Sequence, residues 1–289
     1  MRCVTIFILW AALLLSSGLL FAQVPLPRPD HIVVVIEENH SLAQIVDSSA
    51  APYLNELIHK GALLTKAYGI THPSQPNYIA LFAGSTEGVI ANNCPLVLTA
   101  PNLRSALAQV GRSFVGYSED LPAVGSTDCI VASYVRKHNP WVNWQSSPGN
   151  QVPSSENRPF TDFPSDFSTL PTLSIIIPNQ QNDMHDGKDP DRIQRADRWL
   201  QTHLSRYVQW AGSHNSLLIV TWDEDEGKSD NHIPMIFVGP MVARGRFDEP
   251  VDHYGVVRTI TEMYGAPSIG LSRQSRPLST IWNTPAFTH

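Results

Sequence analysis

Between two prolines the chain sets a hydroxyl that could act as a nucleophile. The stretch reads Thr71-His72-Pro73-Ser74-Gln75-Pro76-Asn77-Tyr78, and a helix is predicted over 77–82. Prolines fix the backbone and suit a first helical turn. A helix N-terminus offers unpaired N–H groups to an anion. A serine held there can attack a phosphorus or sulfur centre, with the Asn77 amide available to hold an oxyanion. The plain alternative is a Ser/Pro turn that caps an ordinary helix.

Two acidic runs bear on that choice. The β-branched run from Ile32 to Ile36 ends in Glu37-Glu38-Asn39-His40-Ser41. The run from Leu217 to Trp222 ends in Asp223-Glu224-Asp225-Glu226-Gly227. Short, continuous apolar runs of this kind read as buried parallel strands. Open α/β sheets bind ligands beyond the carboxyl ends of their strands. Carboxylates at two such ends, with a serine at a helix start, fit a hard cation gathered from several loops. Taken singly, each run reads first as a solvated turn; the two together, after strands of the same kind, weaken that reading.

These residues need a scaffold, and the pattern supplies one. Helices are predicted over 53–60, 77–82, 103–110, 191–210 and 254–263. Strands are predicted over 32–36, 62–65, 113–117, 173–177, 217–222 and 235–238. The alternation implies an α/β fold with a doubly wound, mostly parallel sheet and helices on both faces. In the long helix Ile193, Ala196, Leu200, Leu204 and Val208 recur at helical spacing and form a packing face. Arg192, Arg195, Arg198 and Arg206 read as its solvated side. Residues 141–168, rich in Ser, Pro and Asn, read as a long surface excursion or lid.

The first residues carry Arg2 as their only charge, followed by an apolar run from Ile6 to Phe21. This pattern predicts a signal peptide over residues 1–22, a single domain over 23–289, and a secreted or periplasmic protein. No other stretch is long and apolar enough to span a membrane. The 289-residue chain has a formal charge of −6. Removing Arg2 leaves 19 Lys+Arg against 26 Asp+Glu, or −7, which disfavours nucleic acid as a partner. Cys3 falls in the signal peptide. Cys94 and Cys129 remain, and an even pair in an exported chain predicts a disulfide, with two free thiols as the alternative.

The segments VVVIEENHS, APYLNELIHKGAL, HPSQPNYIALFAG, SFVGYSEDLP, IIPNQQNDMHDG, IVTWDEDEG, NHIPMIFVGP and DHYGVVRTITEMYG run in order from residue 33 to 265. In that order they resemble the bacterial phosphoesterase family of secreted acid phosphatases and phospholipases C, within the alkaline-phosphatase superfamily. The likeness is strongest to its mycobacterial-type secreted acid phosphatases. The resemblance implies an alkaline-phosphatase-like fold with Ser74 as nucleophile. It implies Glu38, Asn39, Asp223 and Glu224, with Ser74, as ligands of one divalent cation. An all-oxygen set of this kind favours Mg²⁺ or Ca²⁺ over zinc. Glu37 competes with Glu38 for the ligand role, and Glu224 stands where relatives often carry Asp or His.

Two-zinc relatives place an Asp four residues before a histidine in mid-chain. Here Gln181 stands four before His185, so a second zinc site is not expected. His185 is then expected to bind a phosphate oxygen or to protonate the leaving alkoxide. Its alternative is a loop histidine paired with a neighbouring Asp. Asn77, His72 and His232 are the expected phosphate contacts, and His253 reads as a helix cap. The expected function is a secreted, metal-dependent phosphoric-monoester hydrolase working through a phosphoserine. Its substrate would be a small phosphorylated molecule, a phosphoinositide or other phospholipid head group among the options. A phospholipase C-type phosphodiesterase and a catalytically silent secreted binding protein are the alternatives.

Overall fold

The apolar runs form the centre of a sheet because β-branched residues suit a pleated surface that is buried on both sides. The structure, a computed structural model, describes residues 25–283; the signal peptide expected over residues 1–22 lies outside them. Eight strands make the main sheet: β1 (His31–Glu37), β2 (Ala62–Leu64), β3 (Phe114–Ser118), β4 (Asn157–Pro159), β5 (Leu173–Ile177), β6 (Ser216–Trp222), β7 (Met235–Val238) and β8 (Gly245–Phe247). Their spatial order is β8-β2-β7-β6-β1-β5-β3-β4. Strand β7 pairs antiparallel with both β2 and β6, and the other pairings are parallel.

Five helices flank the sheet: α1 (Pro52–Lys60), α2 (Ser74–Ala83), α3 (Leu103–Ala108), α4 (Asp191–Ala211) and α5 (His253–Tyr264). Helix α1 packs on α4, while α2 and α3 pack on α5. The central strands β5 and β6 are buried along their whole length, so both faces of the sheet are covered. This is the expected doubly wound architecture.

Differences from expectation fall at the edges. Helix α2 begins at Ser74 itself, with Pro73 as N-cap and no side-chain cap. Edge strands β4 and β8 carry no apolar alternation to mark them. The segment over 141–168 is not all surface: Trp141 and Trp144 are fully buried. Trp141 Nε1 donates to Asn157 Oδ1 at 2.8 Å, and Trp144 Nε1 donates to Ala100 O at 2.8 Å. Trp141 lies flat against β3 because position 116 is glycine. A Cβ there would meet the indole ring at 2.1 Å. Cys94 and Cys129 form the expected disulfide, with Cα atoms 5.9 Å apart.

Candidate active site

Strands β1 and β6 run side by side and parallel, so their acidic ends emerge together. Glu38 and Asp223 each follow the last residue of a strand, and both are fully buried. Asn39 adopts φ 53°, which turns the chain so that its N–H donates to Asp223 Oδ1 at 3.1 Å and its Nδ2 to Glu38 Oε2 at 2.7 Å. Ser74 Oγ lies 3.2 Å from Glu38 Oε2 and 3.0 Å from Glu224 Oε1. Its hydroxyl therefore does not cap helix α2. One hydroxyl proton can serve only one of these oxygens, so the other approach brings two acceptors face to face.

The electrostatics follow from that crowding. Burial, then Glu38 and Glu224, hold the Asp223 carboxyl well above its ordinary value. Burial and Glu38 also raise Glu224, against the opposing pull of His72 and Ser74. Asp223 Oδ2 is buried with no hydrogen-bond partner. Converging carboxylates with one orphaned oxygen, one serine hydroxyl and one asparagine amide form a hard-oxygen donor set. The residues present therefore fit a divalent cation. Glu37 makes none of the hydrogen bonds around Ser74; it is fully buried, its oxygens are unpartnered, and burial with nearby Asp183 and Glu119 raises its carboxyl well above the usual range.

The opposite edge of Glu38 meets nitrogen. His138 Nε2 lies 2.8 Å from Glu38 Oε1, though not aligned as a hydrogen bond, and His138 Nδ1 lies 3.1 Å from Asp183 Oδ2. Burial pushes Glu38 up, but His138, Lys137 and His185 outweigh it and hold the carboxyl down at about 2. Burial would lower His138, yet Glu38 and Asp183 outweigh it and raise the imidazole. Its ring stacks on Tyr78 at 4.9 Å. Lys137 Nζ lies 3.3 Å from His185 Nε2. One ligand atom from each of Glu38, His138 and His185 lies within 4.8 Å of the others, a grouping that could also hold a metal. Sequence reasoning missed Lys137 and His138. The segment Arg136–His138 is a single 3₁₀ turn with no flanking strand signal, and only its proximity to Glu38 marks it.

The remaining expected residues divide. His72 Nδ1 pairs with Glu224 Oε2 at 2.6 Å, at the edge of a recess of about 520 Å³ lined also by Thr71, Asp225, Lys228 and Asn231. A larger recess of about 770 Å³, lined by Lys60, Val208 and Arg244, contains none of the residues around Ser74. Asn77 Oδ1 accepts from the N–H groups of Ile70 and Thr71 at 2.9 and 3.1 Å, and its Nδ2 donates to Thr71 O at 2.7 Å. It clamps the loop that leads into Ser74; its Nδ2 lies 3.4 Å from Glu224 Oε2. His232 makes its contacts elsewhere, donating from Nε2 to Thr65 O at 2.8 Å and stacking on Tyr68. His253 is not the cap of α5, which is Asp252. Burial drives the His253 imidazole down to about 4, so the neutral ring donates from Nε2 to Asp223 O at 2.6 Å.

The His185 loop is built by residues whose spacing alone suggests plain surface. Asp183 Oδ1 accepts the His185 N–H at 2.8 Å, and the ring is held by Asp186 and Gln180. Arg192 donates to His185 O, and Arg195 to Gln181 O and Asp186 O, so these two arginines of α4 hold the loop. Glu119 receives the Asn179 N–H, Asn182 and Trp199.

Known proteins share this sequence pattern and this fold. Residues 45–267 match the Phosphoesterase family. The chain is 46% identical to the phosphatidylinositol-3-phosphatase of Mycobacterium tuberculosis, over 94% of this chain and 89% of that protein. It is 30% identical to an acid phosphatase of Aspergillus fumigatus over 78% of this chain, and spans about half of that longer protein, 53%. Its fold is similar to a protein in the alkaline phosphatase superfamily from Vibrio parahaemolyticus, with TM-score 0.62, 11% identity, and 88% and 70% of the two chains covered. A phosphonate monoester hydrolase from Silicibacter pomeroyi aligns with TM-score 0.57 and 12% identity, over 86% and 76%. No helix among the described residues is long and apolar enough to cross a membrane. By sequence, the chain belongs to the Phosphoesterase family and is a phosphatase.

Proposed function

We propose that this phosphatase is an exported, metal-dependent phosphoric-monoester hydrolase that works through a phosphoserine at Ser74, with a phosphoinositide head group as substrate. The observation that carries the reading is the placement of Ser74 Oγ between Glu38 and Glu224 at the mouth of the parallel strands. Glu38, Asn39, Ser74, Asp223 and Glu224 would hold one hard divalent cation, Mg²⁺ or Ca²⁺. When bound, such a cation lowers the pKa of a serine hydroxyl and offsets the charge of converging carboxylates.

This chain's own residues do the rest. Asn77 fixes the loop before Ser74, so the hydroxyl keeps its approach to phosphorus. His253 holds the Asp223 carbonyl, which sets the turn between β6 and Glu224. Ser74 Oγ passes its proton to Glu224 Oε1, 3.0 Å away, and forms the bond to phosphorus as the ester P–O bond breaks; His185 gives its proton to the leaving alkoxide and recovers one from the attacking water, and Glu224 returns its proton to Ser74. Lys137 and His72 face the non-bridging oxygens. Water then attacks the phosphoserine and releases inorganic phosphate and the free hydroxyl.

The phosphoinositide part rests on the activity for which the 46% identical relative is named. Export, with residues 1–22 as signal peptide and 23–289 as one domain, is supported by the Cys94–Cys129 disulfide, since such bonds persist in oxidising compartments. The test is turnover on a panel of phosphomonoesters and phosphodiesters, with and without chelator, for wild type and Ser74→Ala. Monoester turnover that needs both Ser74 and a divalent cation supports the reading. Full activity in chelator, or a preference for diesters, refutes it.

A further inference from the structure

Four strongly exposed aliphatic side chains lie within five residues of one disulfide. Ile90 is 82% exposed, Val97 63%, Val124 51% and Ile130 72%. Ile90 and Val97 flank Cys94 on one loop, Val124 and Ile130 flank Cys129 on another, and the disulfide joins the two. Ile130 stands on the small hairpin that pairs Ile130–Val131 with Tyr134–Val135. From Gly88 to Leu103 there is no charged residue, and from Leu121 to Val135 there is only Asp128. Asp128 already accepts from the Ser126 hydroxyl at 2.7 Å. Scattered apolar side chains on a surface are ordinary, but a group of this kind marks an interaction site.

The same loops carry the rim of the active site. Asn92 Oδ1 accepts the Gln75 N–H at 3.0 Å, and Gln75 Nε2 donates to Asn93 O at 2.9 Å. Gln75 follows the nucleophile directly. On the other loop Cys129 O accepts the Arg136 N–H at 2.9 Å, and Lys137 and His138 come next. Each side of the site is therefore tied to a loop that ends in exposed aliphatic groups.

We infer that this uncharged aliphatic rim docks on a lipid bilayer and delivers Ser74 to phosphorylated head groups at the membrane surface. The inference rests on the phosphatase reading above. Branched aliphatic side chains enter the acyl boundary favourably, while charged ones resist it, and here the charged ones are missing. The disulfide holds the two loops together in advance, so little chain order is lost on docking. Lys137, 3.3 Å from His185, stands behind the rim, where an anionic head group arrives.

The test uses the full mature chain and the double variant Ile90→Ser/Ile130→Ser, both positions being exposed and outside the catalytic machinery. Three quantities are measured: co-sedimentation with phosphatidylcholine vesicles containing phosphatidylinositol 3-phosphate, turnover on those vesicles, and turnover on p-nitrophenyl phosphate. Vesicle binding and vesicle turnover are expected to fall about tenfold or more, while soluble turnover stays within about twofold. Unchanged vesicle binding, or wild type that does not sediment with vesicles, overturns the inference. So does sedimentation velocity showing a wild-type dimer that the variant loses, because the rim would then join two copies. If wild type hydrolyses neither substrate, the phosphatase reading fails, and vesicle binding still decides the docking.

Discussion

Removing His138 should cost more stability than any other single change near the site. The imidazole is fully buried, 2.8 Å from Glu38 and 3.1 Å from Asp183, and stacks on Tyr78. It is the only cationic side chain paired directly with either carboxylate among the described residues. Deleting one partner of a buried ion pair leaves an uncompensated charge and costs about 3–5 kcal/mol. For a domain of this size each kcal/mol shifts Tm by roughly 2–4 °C. His138→Phe keeps the ring and its stack but loses both nitrogens, so Tm in chelator should fall by roughly 6–20 °C. The pH dependence has a definite sign. Glu38, held down at about 2 from 4.5, contributes stability above pH 4.5 that is lost as pH falls toward 2. His138, raised from 6.5, contributes stability that is complete below pH 6.5 and lost as pH rises through its folded value. The gap between wild type and variant is therefore widest from pH 4.5 to 6.5. Calorimetry across roughly pH 3 to 9 tests this, with the range set by those two titrations. A Tm loss below about 2 °C at its widest, or a gap that ignores pH, would refute the charge argument.

Three further outcomes are expected. Ser74→Ala should lose roughly a thousandfold or more in turnover, as in other covalent hydrolases, with a stability change of about 1 kcal/mol or less; phosphate release near the wild-type rate would remove Ser74 from the chemistry. Asp223→Asn should abolish cation uptake and activity yet raise Tm in chelator, because Asp223 is a buried carboxyl held against Glu38 and Glu224; a fall of several degrees would show that the repulsion is already relieved without a cation. Cys94→Ser with Cys129→Ser should cost about 2–5 kcal/mol, and the unfolded, unreduced wild type should titrate no thiol; two reactive thiols per chain would refute the bridge.

The legible parts of this chain are those written in local pattern. Strand β1, with Ile32, Val33, Val34, Val35 and Ile36, is a run that only a doubly covered strand can bury, and it is readable residue by residue. The apolar stripe of α4 at Ile193, Ala196 and Leu200 is equally plain. The acidic ends of β1 and β6 are visible as strand termini, and the family resemblance singles out Glu38 and Asp223 within them. Long-range contacts are not legible. Lys137 and His138 sit in a turn whose meaning comes only from the fold, which brings it to Glu38, about a hundred residues earlier in sequence. Arg192 and Arg195 look like solvent-facing charge because helical spacing cannot show a loop lying across them. Trp141 reads as surface because it opens a stretch rich in Ser, Pro and Asn, and its burial depends on Gly116 of another strand.

Glu38 divides the site, and that division decides where a phosphate can sit. Its Oε2 faces Ser74 and Asn39, with Asp223 and Glu224 close behind. Its Oε1 faces His138, with Lys137 and His185 beyond. On the first side negative charge is in excess, and an anion brought there alone would be repelled. On the second side an ammonium and two imidazole rings gather, and a bare cation would compete with Lys137. The least costly arrangement puts the cation among the carboxylates and the phosphoryl oxygens toward Lys137 and His185. Ser74 lies between the two, within reach of both Glu38 and Glu224. A phosphorus atom placed there meets the serine oxygen on one side and leaves the ester oxygen toward His185. Charge segregation across a single buried carboxylate thus sets Ser74 between a side that repels an anion and a side that accepts one.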